Sequence, residues 1–186
     1  MTVIIVKQPR FNDQRGWFTE SWNRSKFATL GVDVDFCQDN HSYSAETGTL
    51  RGLHYQAPPV AQGKLVRCIR GSIFDVAVDI RAGSPSWGKF VSRVLSAENG
   101  EQLWIPAGYA HGFVTLEPDC EVVYKVTAPY DRESERGIIW NDEDLGIDWP
   151  LPPSGPMLSD KDEILPRLRD VAPDFTYADG PLVPLD

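Results

Sequence analysis

The sequence has few cysteines, and their spacing supports neither a disulfide framework nor a cysteine-based metal site. Cys37, Cys68 and Cys120 stand far apart, their number is odd, and no Cys-x-x-Cys pair occurs. Paired or clustered cysteines are typical of secreted scaffolds and zinc sites. The sequence therefore predicts reduced and mostly buried thiols in a cytoplasmic protein.

Long hydrophobic runs are also lacking. No stretch of about 18 apolar residues occurs, which is the length needed to cross a bilayer as a helix. The apolar run at positions 1–7 has neither a basic leader nor a small-residue cleavage site, so it is predicted to be a strand and not a signal peptide. We expect no membrane segment.

Positive charge is scarce. Eighteen Lys and Arg residues stand against 27 Asp and Glu residues, giving a formal net charge of −9. A basic surface is the usual requirement for binding nucleic acid or anionic membranes, so neither partner is expected. The phosphate-binding loops G-x-x-x-x-G-K-[ST] and G-x-G-x-x-G are absent as well. A phosphorylated small ligand would therefore have to be held by a few clustered Lys and Arg side chains.

Short β-type segments separated by turn residues make up most of the chain. Such spacing is typical of a sandwich or barrel, and 186 residues suffice for one domain, 1–186, with a substantial core. The predicted strands are Val3–Val6, Gly16–Trp22, Leu65–Ile69, Ser72–Ile80, Phe90–Leu95, Gln102–Ile105, Gly112–Leu116 and Glu121–Val126.

One strand has a clear two-residue alternation. Between Phe74 and Ile80, apolar side chains share one face, whereas Asp75, Ala77 and Asp79 share the other. The acidic face could meet solvent or line a polar cavity, and solvent is the favoured expectation.

Helical signals are confined to two short segments. Residues 23–30 predict one helix ended by Gly31, and Asp160 opens a second that Pro166 limits. The stretch 151–186 is rich in proline but too apolar for a free linker. We expect an extended arm packed on a barrel core formed by residues 1–150.

Several polar side chains suit general acid–base chemistry. His54 lies between Arg51 and Lys64 in β-type sequence, and histidine has the side-chain pKa nearest neutrality. His54 is therefore a candidate base, with its ring oriented by Asp162 or another carboxylate. Tyr124 is a candidate acid, and a neighbouring Lys64 or Lys125 would lower the pKa of its phenol. Lys64 could also stabilise a developing enolate oxygen.

A metal site is the competing hypothesis for the histidines. The spacing P-x-G-x-x-H-x-F from Pro106 to Phe113 resembles the second motif of the cupin superfamily, whose barrels often bind a divalent metal. The first cupin motif needs an H-x-H pair and a nearby Glu, but His54 is followed by Tyr55 and Gln56. We therefore predict a barrel without a metal.

Eight motifs in order along the chain resemble the dTDP-4-dehydrorhamnose 3,5-epimerase family. They are F-x-D-x-R-G-x-F-x-E (Phe11 to Glu20), in which Trp17 takes a place where the family usually has Phe, Gln38 to Ser42, Leu50 to Gln56, Gln62 to Arg67, Phe74 to Arg81, Leu103 to Pro106, Ala110 to Phe113 and Trp140 to Asp142. The resemblance implies an all-β jelly-roll (cupin-like) barrel with short flanking helices, a homodimer, no metal and no organic cofactor. It also implies epimerisation at C3 and C5 of dTDP-4-dehydro-6-deoxy-D-glucose.

The resemblance also implies a role for each matching residue. The implied catalytic residues are His54 as base, Tyr124 as acid, Asp162 as the carboxylate paired with His54, and Lys64 near the C4 oxygen. The implied substrate-binding residues are Arg15, Trp17, Glu20, Gln38, Asp39, Asn40, Arg51, His111, Glu135 and Lys161. Arg51 is expected to hold the diphosphate and Trp17 to stack on the base, and the segment carrying Arg15 and Glu20 is expected to reach the partner subunit's site.

Two other functions remain open from the sequence. The first is an epimerase that acts only at C3 or only at C5, or on another 4-keto nucleotide sugar. The second is a non-catalytic sugar-binding barrel, in which His54 would be dispensable.

Overall fold

Two facing five-stranded antiparallel sheets form the frame of the computed structural model, which describes residues 1–178 and 180–185. The first sheet has the strand order β1-β10-β6-β12-β4, and the second has the order β13-β5-β11-β7-β9. Their bounds are β1 Ile4–Lys7, β4 Gln38–Ser44, β5 Leu50–Gln56, β6 Lys64–Arg70, β7 Ser72–Asp79, β9 Phe90–Ser96, β10 Glu101–Ile105, β11 Tyr109–Thr115, β12 Cys120–Val126 and β13 Glu135–Gly137. The predicted all-β jelly-roll barrel is confirmed.

Smaller elements flank the barrel. A hairpin pairs β2 (Phe11–Asp13) with β3 (Gly16–Phe18), and a short parallel pair joins β8 (Arg81–Ala82) to β14 (Phe175–Thr176). The predicted helices are present as α1 (Arg24–Thr29) and α2 (Asp160–Glu163). Their first turns are capped by the side chains of Asn23 and Ser159, which accept hydrogen bonds from the backbone N–H groups of Lys26 and Asp162, respectively. None of the helices in the described part of the chain has the length and apolar character needed to span a bilayer.

Three apolar clusters hold these layers together. Side chains from both sheets, such as Val66 and Phe113, fill one end of the space between them. A second cluster lies on the outer face of the second sheet, which is covered by Trp149 and, from the C-terminal arm, by Leu168. A third cluster around Trp104 packs the first sheet beneath α1. Two of the three clusters lie on the outer faces of the sheets, so the space between the sheets is not filled by apolar side chains alone and can also hold polar groups.

The acidic face of β7 points into the barrel and not to solvent, so the favoured expectation for Asp75 and Asp79 was wrong. Both carboxylates are completely buried, whereas Val76 and Val78 on the opposite face pack against the arm. The arm covers the outside of the second sheet, so the apolar face of β7 is buried there and the acids lie inside. The carboxylate of Asp79 accepts two hydrogen bonds from the guanidinium of Arg81 and one each from the hydroxyls of Ser84 and Ser86.

Candidate functional site

Two adjoining cavities open between the sheets, away from the apolar end of the barrel. The larger has a volume of about 430 Å³ and the smaller about 320 Å³, and His54, Lys64 and Tyr124 line both. Predicted site residues that line the larger cavity are Arg51, His54, Lys64, His111, Tyr124, Lys161 and Asp162. Those that line the smaller cavity are Gln38, Asn40, His54, Lys64, Tyr124 and Glu135. The fold thus brings 10 of the 14 predicted residues to one place, through segments far apart in sequence.

His54 and Tyr124 reach this space from opposite sheets. His54 lies on β5 of the second sheet, and Tyr124 lies on β12 of the first. Lys64 also comes from the first sheet, at the start of β6. A molecule between the sheets therefore has the imidazole on one side and the phenol on the other.

A local irregularity lets two residues of β5 line the same cavity. Arg51 and His54 are three residues apart and would face opposite ways on a regular strand. Gly52 lies between them with φ +119°, and the pairing of β5 with β11 shifts register there. A Cβ atom on Gly52 would lie 2.6 Å from Cα of Gly112, so the close approach of the two strands requires glycine.

Asp162 orients the imidazole of His54. Its Oδ1 lies 2.5 Å from Nε2 of His54, and the carboxylate is buried. An ionised carboxylate only accepts hydrogen bonds, so Nε2 of His54 carries the proton and Nδ1 keeps a free lone pair. Burial raises the pKa of Asp162, but hydrogen bonds from His54 and Ser159, together with the electrostatic attraction of His54 and Lys161, outweigh it, so the net pKa is lowered and the carboxylate stays charged.

Lys64 is a buried ammonium beside the base. Its Nζ donates to the backbone oxygen of His54 at 3.1 Å, and the residue is only 8% exposed. Burial lowers the pKa of Lys64 to about 8, and the carboxylates of Asp75 and Glu135 oppose that shift. At neutral pH most of the molecules keep Lys64 as a cation next to His54.

The phenol of Tyr124 has a raised pKa, so the predicted lowering was wrong. Burial raises the pKa of Tyr124 more than the cations Arg51 and Lys161 lower it. Lys125 has no part in this, because it faces the outside of the first sheet and pairs with Asp39. Tyr124 is therefore protonated at neutral pH and available as a proton donor.

Four of the predicted residues line neither cavity of the single chain. Asp39 lies between Gln38 and Asn40 on β4, so strand alternation turns its side chain to the outer face, where Lys125 binds it. The other three belong to the N-terminal segment: Arg15 pairs with Asp13, Trp17 stacks against Arg10, and Glu20 bonds to Lys26 and Asn23.

Tyr130 is a site residue that sequence reasoning missed. The residue is 56% exposed at the edge of the smaller cavity, its backbone N–H donates to Gln38, and its hydroxyl donates to Glu135. It follows Pro129 in a loop outside the predicted strands. The sequence did contain one signal for Tyr130: it is an aromatic residue five positions before Glu135, and Glu135 was predicted to bind the substrate.

The histidines do not share a common centre. His54 contacts Asp162, His111 contacts Asp75, and His41 contacts Glu121 on the outer face. Within residues 1–178 and 180–185, no group of three or more His, Cys, Asp or Glu side chains is arranged to hold a metal ion.

Comparison with known proteins identifies close relatives along most of the chain. The sequence model described as dTDP-4-dehydrorhamnose 3,5-epimerase matches residues 1–170. A dTDP-4-dehydrorhamnose 3,5-epimerase from Sinorhizobium fredii is 51% identical over 175 residues, which cover 94% of this chain and 89% of the relative.

Solved structures match the fold equally well. A dTDP-6-deoxy-D-glucose-3,5-epimerase from Legionella pneumophila in complex with dTDP-4-keto-L-rhamnose superimposes with a TM-score of 0.91 and 43% identity, covering 95% of this chain and 94% of that one. A 3'-monoepimerase from Streptomyces bikiniensis in complex with dTDP-quinovose gives a TM-score of 0.83 at 34% identity, covering 90% of this chain and 84% of that one.

Proposed function

The chain belongs to the dTDP-4-dehydrorhamnose 3,5-epimerase family, and we propose that it converts dTDP-4-dehydro-6-deoxy-D-glucose to dTDP-4-dehydro-L-rhamnose by inverting C3 and C5. The observation that carries this proposal is the placement of His54 and Tyr124 on facing sheets around one cavity. Inversion requires a proton to leave one face of a carbon and another to arrive on the opposite face. A base and an acid on opposite walls meet that requirement.

Proton removal begins at Nδ1 of His54. The C4 ketone acidifies the hydrogens on C3 and C5, so Nδ1 takes a proton and the C–H electron pair forms a carbon–carbon double bond. The C4 oxygen then becomes an enolate anion. Asp162 stabilises the resulting imidazolium through its bond to Nε2, and the Lys64 ammonium stabilises the enolate oxygen.

Reprotonation comes from Tyr124 on the other wall. The neutral phenol gives its proton to the carbon, the enolate electron pair restores the C4 ketone, and the configuration is inverted. His54 then releases its proton to solvent and Tyr124 takes one up, so both groups are ready for the second carbon. The raised pKa of Tyr124 suits this role, because the phenol must be protonated before each step.

The charged groups at the cavity mouth suit a nucleoside diphosphate. Arg51 and Lys161 line the larger cavity and supply the cations expected for a diphosphate. The amides of Gln38 and Asn40 line the smaller cavity, and the exposed ring of Tyr130 beside them offers a stacking surface for the thymine base. Glu135 bonds to both Lys161 and Tyr130 and connects the two ends of the site.

The N-terminal hairpin supports a homodimer in which each chain contributes to its partner's site. The Arg15 side chain is 85% exposed and Trp17 is 55% exposed, although both are predicted substrate ligands. Phe11 and Phe18 of the same hairpin are exposed as well. We propose that the hairpin carries Arg15, Trp17 and Glu20 towards the cavity of a second copy.

A cytoplasmic location fits the thiols. Cys37, Cys68 and Cys120 are all unpaired, as is usual in a reducing compartment. We infer that the enzyme works there on its nucleotide-sugar substrate.

Incubation with dTDP-4-dehydro-6-deoxy-D-glucose tests the activity. Proton NMR of the product, together with reduction by a matching 4-ketoreductase, should show both C3 and C5 inverted, and a His54→Asn variant should form product about 100-fold more slowly or slower still. Inversion of C3 alone would identify a single-site epimerase, the activity of the Streptomyces relative. Binding of the nucleotide sugar without any turnover would identify a non-catalytic barrel.

A further inference from the structure

Asp75 is a buried carboxylate next to the site that the proposed mechanism does not use. It lies on the inner face of β7, has no exposed surface, and lines neither cavity. Its Oδ1 and Oδ2 lie 3.0 Å and 3.1 Å from Nε2 of His111. A carboxylate without solvent is costly unless charge or hydrogen bonds compensate it, so its neighbours indicate what it does.

The contact with Asp75 determines which nitrogen of His111 carries the proton. Because the carboxylate only accepts, Nε2 of His111 must donate, and Nδ1 has no hydrogen-bond partner among the described residues. Burial lowers the pKa of His111 more than Asp75 raises it, so the ring is neutral at neutral pH. A neutral His111 cannot neutralise the charge of Asp75.

Strand pairing brings Lys64 close to the pair formed by Asp75 and His111: Nζ of Lys64 donates to the backbone oxygen of His54, and His54 pairs with His111 across β5 and β11. Two carboxylates act on the buried ammonium, Asp75 and Glu135, and Glu135 already pairs with Lys161 at 2.7 Å. Asp75, by contrast, forms no ion pair with a Lys or Arg side chain among residues 1–178 and 180–185. The charged and titratable groups around Lys64 include Arg51 and His54 on β5, Asp75 on β7, His111 on β11, Tyr124 on β12, Glu135 on β13, and Lys161 and Asp162 on α2.

We propose that Asp75 is a positioning residue that keeps Lys64 charged from behind the cavity and holds His111 in the Nε2–H form. The inference rests on the proposed function, in which Lys64 must be an ammonium to stabilise the enolate oxygen. Asp75 acts through these two side chains and does not touch the substrate. The buried inner face of β7 thereby adds a negative charge behind the cavity, besides those of Asp162 and Glu135 on its walls.

The sign of the effect follows from the charges. Burial lowers the pKa of Lys64 to about 8, and Asp75 is the stronger of the two negative charges that oppose this lowering. Replacing the carboxylate by a neutral amide removes that opposition, so the pKa of Lys64 falls further. The ammonium is then lost at a lower pH, and activity that needs it is lost with it.

The pH dependence of kcat/KM for Asp75→Asn tests the proposal. The alkaline limb of the wild-type enzyme should lie near pH 8, and that of Asp75→Asn should lie about one pH unit lower or more. Asp75→Glu, which keeps the charge, should recover part of the shift. Asp142→Asn is the matched control, because Asp142 is also buried but its carboxylate accepts hydrogen bonds from the backbone N–H groups of Asp144 and Leu168. An alkaline limb in Asp75→Asn at the wild-type pH would overturn the proposal.

Two measurements without substrate separate this inference from the proposed function. A ¹³C-lysine NMR titration should give Lys64 a lower pKa in Asp75→Asn than in the wild type, whether or not the protein turns over a dTDP-sugar. If Asp75→Asn does not fold, ¹⁵N-histidine NMR of the wild type should show His111 as the Nε2–H tautomer. An Nδ1–H tautomer, or an unchanged pKa of Lys64, would contradict the role of Asp75. Failure of the wild type to turn over the substrate would contradict only the proposed function.

Discussion

Nε2 of His54 lies 2.5 Å from Oδ1 of Asp162, although 108 residues separate the two in sequence. The Ser159 cap starts the short helix α2, which packs on β5 and turns Asp162 inwards while Asp160 stays exposed. The C-terminal arm thus completes the base that the barrel provides. Through this contact the arm contributes directly to the proposed chemistry.

Substitution of His54 should lower activity more than substitution of Asp162. His54→Asn removes the base and should reduce kcat by about 100-fold or more. Asp162→Asn keeps the imidazole but no longer fixes its Nε2–H form, so a smaller loss of at least about 10-fold is expected. Steady-state kinetics measure both, with Asp160→Asn as the control that should remain near wild type. Full activity in His54→Asn with the fold intact would refute the assignment.

Tyr124→Phe should separate proton exchange from inversion. The variant keeps His54 as base but lacks the acid on the opposite wall, so net inversion should fall about 100-fold or more. Recovered substrate should still exchange its C3 or C5 hydrogen with solvent deuterium, which mass spectrometry detects. Tyr43→Phe, an exposed tyrosine on the outer face, is the control. If Tyr124→Phe lost exchange as completely as His54→Asn, Tyr124 would have a role other than the final acid.

Tyr130 should affect substrate binding more than turnover. Loss of the aromatic ring in Tyr130→Ala removes the proposed stacking surface, and KM should rise by about 10-fold while kcat changes little. Tyr130→Phe retains the ring and loses only the hydrogen bond to Glu135, so its KM should stay close to wild type. Equal KM values for the Ala and Phe variants would show that the ring of Tyr130 does not stack on the substrate.

The shared site in the proposed homodimer can be tested by mixing two inactive chains. Arg15→Ala damages the hairpin, and His54→Asn damages the cavity. In a dimer that combines them, one of the two sites has both an intact His54 and an intact partner hairpin. Co-expression should therefore restore about a quarter of wild-type activity if the chains pair at random. Activity no higher than the sum of the two separate variants would indicate that each chain uses its own Arg15.

Local signals in the sequence were sufficient for most elements of the fold. Asn23 and Ser159 are capping residues, and both predicted helices start directly after them. The β-branched and aromatic runs predicted seven of the ten strands of the two large sheets, whereas β4, β5 and β13 were not among the predicted strands. The polar strand β4 was missed because Gln38–Ser44 has the composition of a loop. Pairing with β12, a long-range interaction, makes this polar segment a strand.

The direction in which side chains face was harder to predict, because it depends on distant parts of the chain. The alternation in β7 defined two faces, but only the arm determines that the acidic face is internal. The predicted lowering of the pKa of Tyr124 was wrong for a similar reason. The prediction relied on charges near Tyr124 in sequence, whereas burial of the phenol by the folded chain has the largest effect and raises the pKa. The motif residues themselves converged on the cavities, apart from Asp39 and the hairpin residues.

Solvent-deuterium incorporation tests the central claim most directly. The purified enzyme is incubated in D₂O with dTDP-4-dehydro-6-deoxy-D-glucose, and the product is examined by NMR at each carbon of the sugar. Acid–base chemistry by His54 and Tyr124 on both carbons predicts one deuterium at C3 and one at C5, each with inverted configuration, and none in the His54→Asn reaction. A product labelled at only one of these carbons, or inverted without any label, would contradict the account.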